Sequence, residues 1–258
     1  TVTDLGTLST TNGTVTYDGV DQTVFSDDYY SLTAGGGSGT KTLGGAVTVA
    51  NDLTIDANVT TSMGANNLTV TGATDINGTI TMSTATLDAN GAFDAAGGVV
   101  TFTDAGNLNL FSTVTDLGTL SGNGTVTYDG TAQTLFSDTY YNLTSGNSSG
   151  IKTLGGDVTV DNDLVINAGV TVDVSGNDYA VNIGRNLTNA GTFTSRDGTV
   201  TFSGSDDQAL TSGGSSFHNI IFNNSGGNVK VLVISGNLVI DNDLTLTDGT
   251  LDLDTNDP

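Results

Sequence analysis

The stretch "TVTDLGTLSTTNGTVTYDG" at residues 1–19 returns almost unchanged as "TVTDLGTLSGNGTVTYDG" at residues 113–130. The match runs on through "QTVFSDDYYSLT" (22–33) against "QTLFSDTYYNLT" (133–144). It continues through "KTLGGAVTVANDL" (41–53) against "KTLGGDVTVDNDL" (152–164), and fades near Thr60 and Thr171. About three-quarters of some 60 aligned positions are identical, with a single one-residue gap, so the chain is a tandem duplication. A degraded third copy opens with "GTVTFSGSDDQALTSGGSSFHNIIF" (198–222) and closes with "GNLVIDNDLTL" (236–246). One continuous array over 1–258 follows, with modules at 1–60, 113–171 and 198–250 and spacers at 61–112 and 172–197. Equivalent strands open at Thr14, Thr125 and Thr199, at intervals of roughly 111 and roughly 74 residues. The difference of about 37 suggests two whole coils of 18 to 19 residues.

At finer grain the chain is a run of short alternating segments: "GTVTY", "AVTVA", "DLTID", "NLTVT", "GTITM", "VVTFT". Each is bounded by Gly, Asn or Asp. Period-two alternation places Val, Leu, Ile and Phe on one face and Thr on the other. Helix formers are scarce: Lys plus Arg total five, and Glu is absent. A stacked antiparallel sandwich array and a parallel β-solenoid both fit this pattern. Asn-Gly pairs at residues 12, 77, 90 and 123 suit hairpins. The solenoid is favoured by short strands, small apolar residues, a single Pro and no clear linker. The expected fold is an all-β, single-stranded parallel β-helix of about 18–25 residues per coil. That gives roughly 10 to 14 coils and a rod of about 50 to 65 Å.

A net charge of -23 excludes nucleic-acid binding, because five cations cannot neutralise a phosphate backbone. It also disfavours anionic membrane surfaces, and no apolar run reaches spanning length. Without cysteine there are no disulfides. The chain begins inside a repeat and stops without a visible cap, which reads as an excerpt of a longer protein.

The wording "GTVTYDG…QTLFSDTYYNLT…GIKTLGGDVTVDNDLVI" resembles the β-strand repeats of giant bacterial surface proteins, including filamentous-haemagglutinin-like adhesins. The resemblance covers nearly the whole chain. It implies a right-handed parallel β-helix, exported to the bacterial cell surface, with a structural or adhesive role. The implied partners are neighbouring repeats or further copies of the same chain, head to tail, and cell-surface glycans.

Several segments invite a chemical reading. "DNDL" offers Asp161 and Asp163, and again Asp241 and Asp243, as oxygen ligands for calcium. The first copy reads Ala50-Asn51-Asp52, so only Asn-Asp-Leu is shared. The favoured reading is an inter-strand corner. Asn takes a left-handed backbone, Asp caps free N–H groups, and Leu53, Leu164 or Leu244 points inward. Weak surface binding of calcium stands beside it, and no cofactor is implied. His218, the single histidine, replaces Tyr30 and Tyr141 and is read as a structural aromatic position. Carbohydrate-active β-helices need paired carboxylates with a basic partner. The cations here are Lys41, Lys152, Lys230, Arg185 and Arg196, and the first two repeat with the module. No enzyme is expected, and a carbohydrate-binding or carbohydrate-active protein is the alternative. Thr-x-Thr triplets raise a third possibility, an ice-binding β-solenoid. They start at irregular gaps of about 7 to 67 residues, which favours ordinary solvent-facing Thr. The aromatics Tyr17, Tyr128 and Phe202, Phe25 and Phe136, Tyr29, Tyr140 and Phe217, and Phe111 are read as core.

Overall fold

The computed structural model describes residues 5–146, 149–226, 231–235 and 238–253. Lys230 lies outside them. The described residues contain no helix, and every strand pair for which a register is defined is parallel. The chain is a β-solenoid, and it divides into two compact units, Thr1–Val126 and Thr127–Pro258.

In the first unit the chain visits three sheets in turn. The first holds Thr14–Tyr17, Ser31–Ala34, Leu53–Ile55, Thr74–Ile76, Phe93–Asp94 and Val114–Asp116. The second holds Gln22–Val24, Gly39–Leu43, Val59–Gly64, Thr79–Met82, Val99–Phe102 and Thr119–Gly122. The third holds Asp28–Tyr29, Val47–Val49, Leu68–Val70, Thr86–Ala89 and Asn107–Leu110. The second unit repeats the plan, but its second sheet stops after Gln133–Leu135, Gly150–Leu154, Val170–Asp173 and Thr192–Thr194. Coil length varies from 17 residues, where Val15 pairs with Leu32, to 25, where Asn223 pairs with Asp248.

Alternation explains the core. Val47, Leu68, Leu87 and Leu108 pair in one inward row, and Val49, Val70, Ala89 and Leu110 in the next. All eight are at most 3% exposed. Burying a Val or Leu contributes about 1.5–3 kcal/mol, so each added coil brings its own increment.

One expectation changes. The Asn-Gly pairs are not hairpins. A Cβ at Gly78 would lie 2.3 Å from the Asp56 carbonyl oxygen, and one at Gly91 would lie 2.1 Å from that of Gly72. These glycines let one coil's backbone press against the previous one. The module does not keep phase with the coil. In the second unit Thr125–Tyr128 shares a sheet with Asn142–Ser145 and Leu164–Ile166, whereas its counterpart Thr199–Phe202 lies in the sheet of Thr139–Tyr140 and Val158–Val160. The 74-residue offset is therefore not a whole number of turns. Yet the copies begin 17 and then 11 strands apart, and that difference of six strands, at three per turn, is the two whole coils suggested by the difference of about 37 residues.

Candidate functional sites

The "NDL" corners are built from hydrogen bonds. In the first copy, Asn51 Nδ2 donates to Ser31 Oγ (3.2 Å) and to Asp52 Oδ2 (3.0 Å), while Asp52 Oδ1 accepts Ala73 N–H (3.0 Å). In the second, Asn162 Nδ2 donates to Asn142 Oδ1 (2.7 Å), and Asp163 Oδ1 accepts from Asn186 Nδ2 (2.7 Å). In the third, Asn242 Nδ2 donates to Asn219 Oδ1 (2.8 Å) and Asp243 Oδ2 (3.4 Å). Each corner thus tethers its Asn amide to the preceding coil. None of the three Asn residues has a positive φ, so the amide, not a left-handed backbone, accounts for Asn here. Leu53 and Leu164 are buried, but Leu244 is 41% exposed. It sits on the last strand of its sheet among the described residues, with one flank uncovered. Asp161 is exposed, and Asp241 lines a groove described below. Among the described residues no three acid or His side chains converge as a metal site would require.

The lysines are the larger surprise. Lys41 and Lys152 are both 0% exposed. Each faces inward beside the Gln of the preceding coil: Lys41 pairs with Gln22, and Lys152 with Gln133. That Gln folds onto its own turn, where Gly19 N–H donates to Gln22 Oε1 (2.6 Å) and Gly130 N–H to Gln133 Oε1 (2.8 Å). The ammonium fills the turn from within. Lys41 Nζ donates to the carbonyls of Gly19, Val20 (3.1 Å) and Ser38 (3.3 Å). Lys152 Nζ donates to the Gly130 carbonyl and to Gln133 Oε1 (3.2 Å). Burial lowers the Lys152 pKa, and the Asp129 charge partly offsets this. The third copy confirms the logic by substitution. Gln208 pairs with Leu232 instead of a lysine. There Asn224 Nδ2 donates to the Asp206 carbonyl (2.6 Å) and to Gln208 Oε1 (3.2 Å). The parity of "GTKTL" and "GIKTL" already placed Lys on the side of the inward Leu, a signal the charge of lysine masks.

A second device repeats with the module. Tyr17 and Tyr29 meet edge to face, with hydroxyls 2.9 Å apart. Phe25 N–H donates to Tyr17 Oη (3.1 Å), and Tyr29 Oη donates to the Phe25 carbonyl (2.9 Å). A hydroxyl has one proton, so Tyr17 donates to Tyr29 and the chain closes on one residue. The second copy has the same circuit: Phe136 N–H to Tyr128 (3.1 Å), Tyr128 to Tyr140 (3.0 Å), Tyr140 to the Phe136 carbonyl (2.7 Å). Burial pushes Tyr128 up to about 12, and burial with the neighbouring phenol raises Tyr29 and Tyr140 as well. In the third copy, Phe202 and Phe217 replace the pair, and Phe217 stacks on Phe193 at 5.4 Å. The corner residues Phe25 and Phe136 are half-buried rather than core. Phe111 is 46% exposed, because alternation sends Leu108 and Leu110 inward and turns the next residue out.

One groove, about 450 Å³, opens in the second unit where its second sheet ends. Thr192, Thr194, Arg196, Ser216 and Asp241 contribute to its walls. Phe193 N–H donates to Ser215 Oγ (2.9 Å) beyond the last strand. Arg196 clamps Asp173 with two bonds of 2.6 and 2.7 Å, which holds that carboxyl below its usual range. His218 is half-buried, with Nδ1 3.6 Å from Asp197 Oδ1, and does not line the groove.

No family model, no curated protein and no solved structure matches this chain.

Proposed function

We propose that this chain is a structural repeat region of an extracellular or cell-surface protein, a stiff segment of a filament or adhesin stalk. The observation that carries the reading is what the module repeats. A ligand site would occur once. The lysine plug, the tyrosine circuit and the Asn tether occur in both long copies, and each ties one part of a coil to another. Interior stacking of this kind resists bending and local opening, since a coil cannot move without breaking ladders on both sides. In this role neighbouring copies stack head to tail. Electron microscopy and sedimentation of the purified chain test the proposal. Elongated particles that associate end to end are expected. A compact, monodisperse monomer with no tendency to associate overturns it.

Glycan recognition is a second reading, favoured by the polar groove at Thr192, Arg196 and Asp241. Binding on a glycan array that is lost in Arg196→Ala supports it, and no binding removes it.

A further inference from the structure

We propose that the second sheet of the first unit is an ice-binding face, made of two in-register ranks of hydroxyl and methyl groups. Five successive strands present outward positions in strict alignment. One rank is Thr40, Thr60, Thr79, Val99 and Thr119. The other is Thr42, Ser62, Thr81, Thr101 and Ser121. Thr23 pairs with Thr42 and extends the second rank by one coil. Nine of the ten positions are Thr or Ser, and the tenth, Val99, is the isostere that keeps the methyl. All are exposed or half-buried, while the residues between them, Lys41, Thr61, Ile80 and Val100, are buried.

Chemistry separates this face from its neighbours. The outward row on the first sheet runs Thr16, Thr33, Thr54, Asp75, Asp94 and Asp116. That on the third runs Asp28, Thr48, Thr69, Asp88 and Asn109. Both single rows carry carboxylates. The ten positions of the double rank carry none, in a chain with 28 acidic residues. An acidic surface hydrates strongly and irregularly, whereas an uncharged lattice of hydroxyls and methyls orders water in rows.

Spacing is set by the fold. Adjacent strands lie about 4.8 Å apart and outward residues along a strand about 6.7 Å apart, so the hydroxyls form a regular two-dimensional lattice whose neighbours ordered water can bridge. Backbone ladders fix the first distance and the extended chain fixes the second, so the array is preorganised before it meets a crystal. Ser121 Oγ donates to Thr101 Oγ1 at 3.1 Å, which fixes two of the hydroxyls further.

The test is ice-affinity partitioning of the full chain, in which a slowly growing ice front excludes ordinary solutes. The wild-type protein is expected to concentrate in the ice. Thr81→Tyr and Thr101→Tyr, each placing a bulky ring in the array, are expected to lower that enrichment about tenfold. Aromatic residues are good strand formers, so both variants should keep the far-ultraviolet circular dichroism of the parent. Thr48→Tyr, on the third sheet, is the control and should partition like wild type. Exclusion of the wild-type chain from ice overturns the proposal. So does equal loss in Thr48→Tyr, or retention on crystalline polysaccharide with none in ice. None of these outcomes bears on the stalk reading, which microscopy tests separately.

Discussion

The tyrosine circuit permits a double-mutant cycle whose outcome follows from counting bonds. Tyr128→Phe removes two hydrogen bonds, the one accepted from Phe136 N–H and the one given to Tyr140. It also leaves a half-buried N–H without its partner. Tyr140→Phe also removes two, the shared one and the one given to the Phe136 carbonyl, and strands the Tyr128 proton. At about 0.5–1.5 kcal/mol per bond, plus the cost of an unsatisfied donor, each single variant should lose about 2 kcal/mol. The double variant loses three bonds, not four, and strands no hydroxyl. Its cost should be about 2–3 kcal/mol, well short of the sum, giving a coupling of about 1–2 kcal/mol. The third copy carries this double replacement already, as Phe202 and Phe217, both fully buried. The assay is urea unfolding of the full chain, followed by far-ultraviolet circular dichroism, with all four members of the cycle. Additivity within about 0.5 kcal/mol would refute the closed circuit.

Three further outcomes follow from the geometry. Tyr128 titrates at about 12 in the fold, so its contribution is fully present below its unfolded value of about 10 and lost as pH rises through 12. That two-unit shift corresponds to about 3 kcal/mol, and phenolate absorbance should rise together with loss of strand signal; a Tyr128 phenolate forming near 10 in an intact fold contradicts this. Thr61 Oγ1 and Thr74 Oγ1 are buried without hydrogen-bond partners, so Thr61→Val and Thr74→Val should each stabilise by about 1 kcal/mol in the same urea assay, and destabilisation by either disproves it. Chelators should leave the melting temperature unchanged, because Asp163 is held by Asn186 and no acidic cluster forms among the described residues; a large downward shift would restore calcium to the account.

Much of the fold was legible in the residues because a solenoid is a one-dimensional object. Period-two alternation named the inward Val and Leu rows, and the tandem copies pointed to a repeat architecture. What stayed hidden were polar groups whose role depends on a neighbour about 20 residues away. Lys152 has no meaning until Gln133 and the Gly130 turn stand above it. The Asn of "DNDL" looked like a left-handed corner, and is instead an amide aimed at the previous coil. Leu244 carries the same signature as Leu53 and Leu164, yet burial depends on what lies on both sides of a strand, which its local sequence does not encode.

The threonines show the same limit most sharply. Measured along the chain, Thr-x-Thr recurs at gaps that look random, because three sheets are interleaved and each contributes its own triplets. Thr69 belongs to the third sheet and Thr14 to the first. Three strands of the aligned array, "TTS" at 60–62, "VVT" at 99–101 and "TLS" at 119–121, do not spell the triplet at those positions. Sorted by sheet, the intervals from Thr40 to Thr60, Thr79, Val99 and Thr119 are 20, 19, 20 and 20 residues, one coil each. The regularity lies in the register, where a crystal surface would meet it. A sequence search for fixed spacing averages three faces together and erases the one that is periodic. The charge pattern obeys the same sorting: in the first unit, the outward rows of the first and third sheets carry carboxylates and the ten positions of the double rank carry none. Selection for solubility alone would spread aspartate over all three faces. Its absence from the double rank is the feature that a purely structural role leaves unexplained, and the feature that Thr81→Tyr and Thr48→Tyr are chosen to separate.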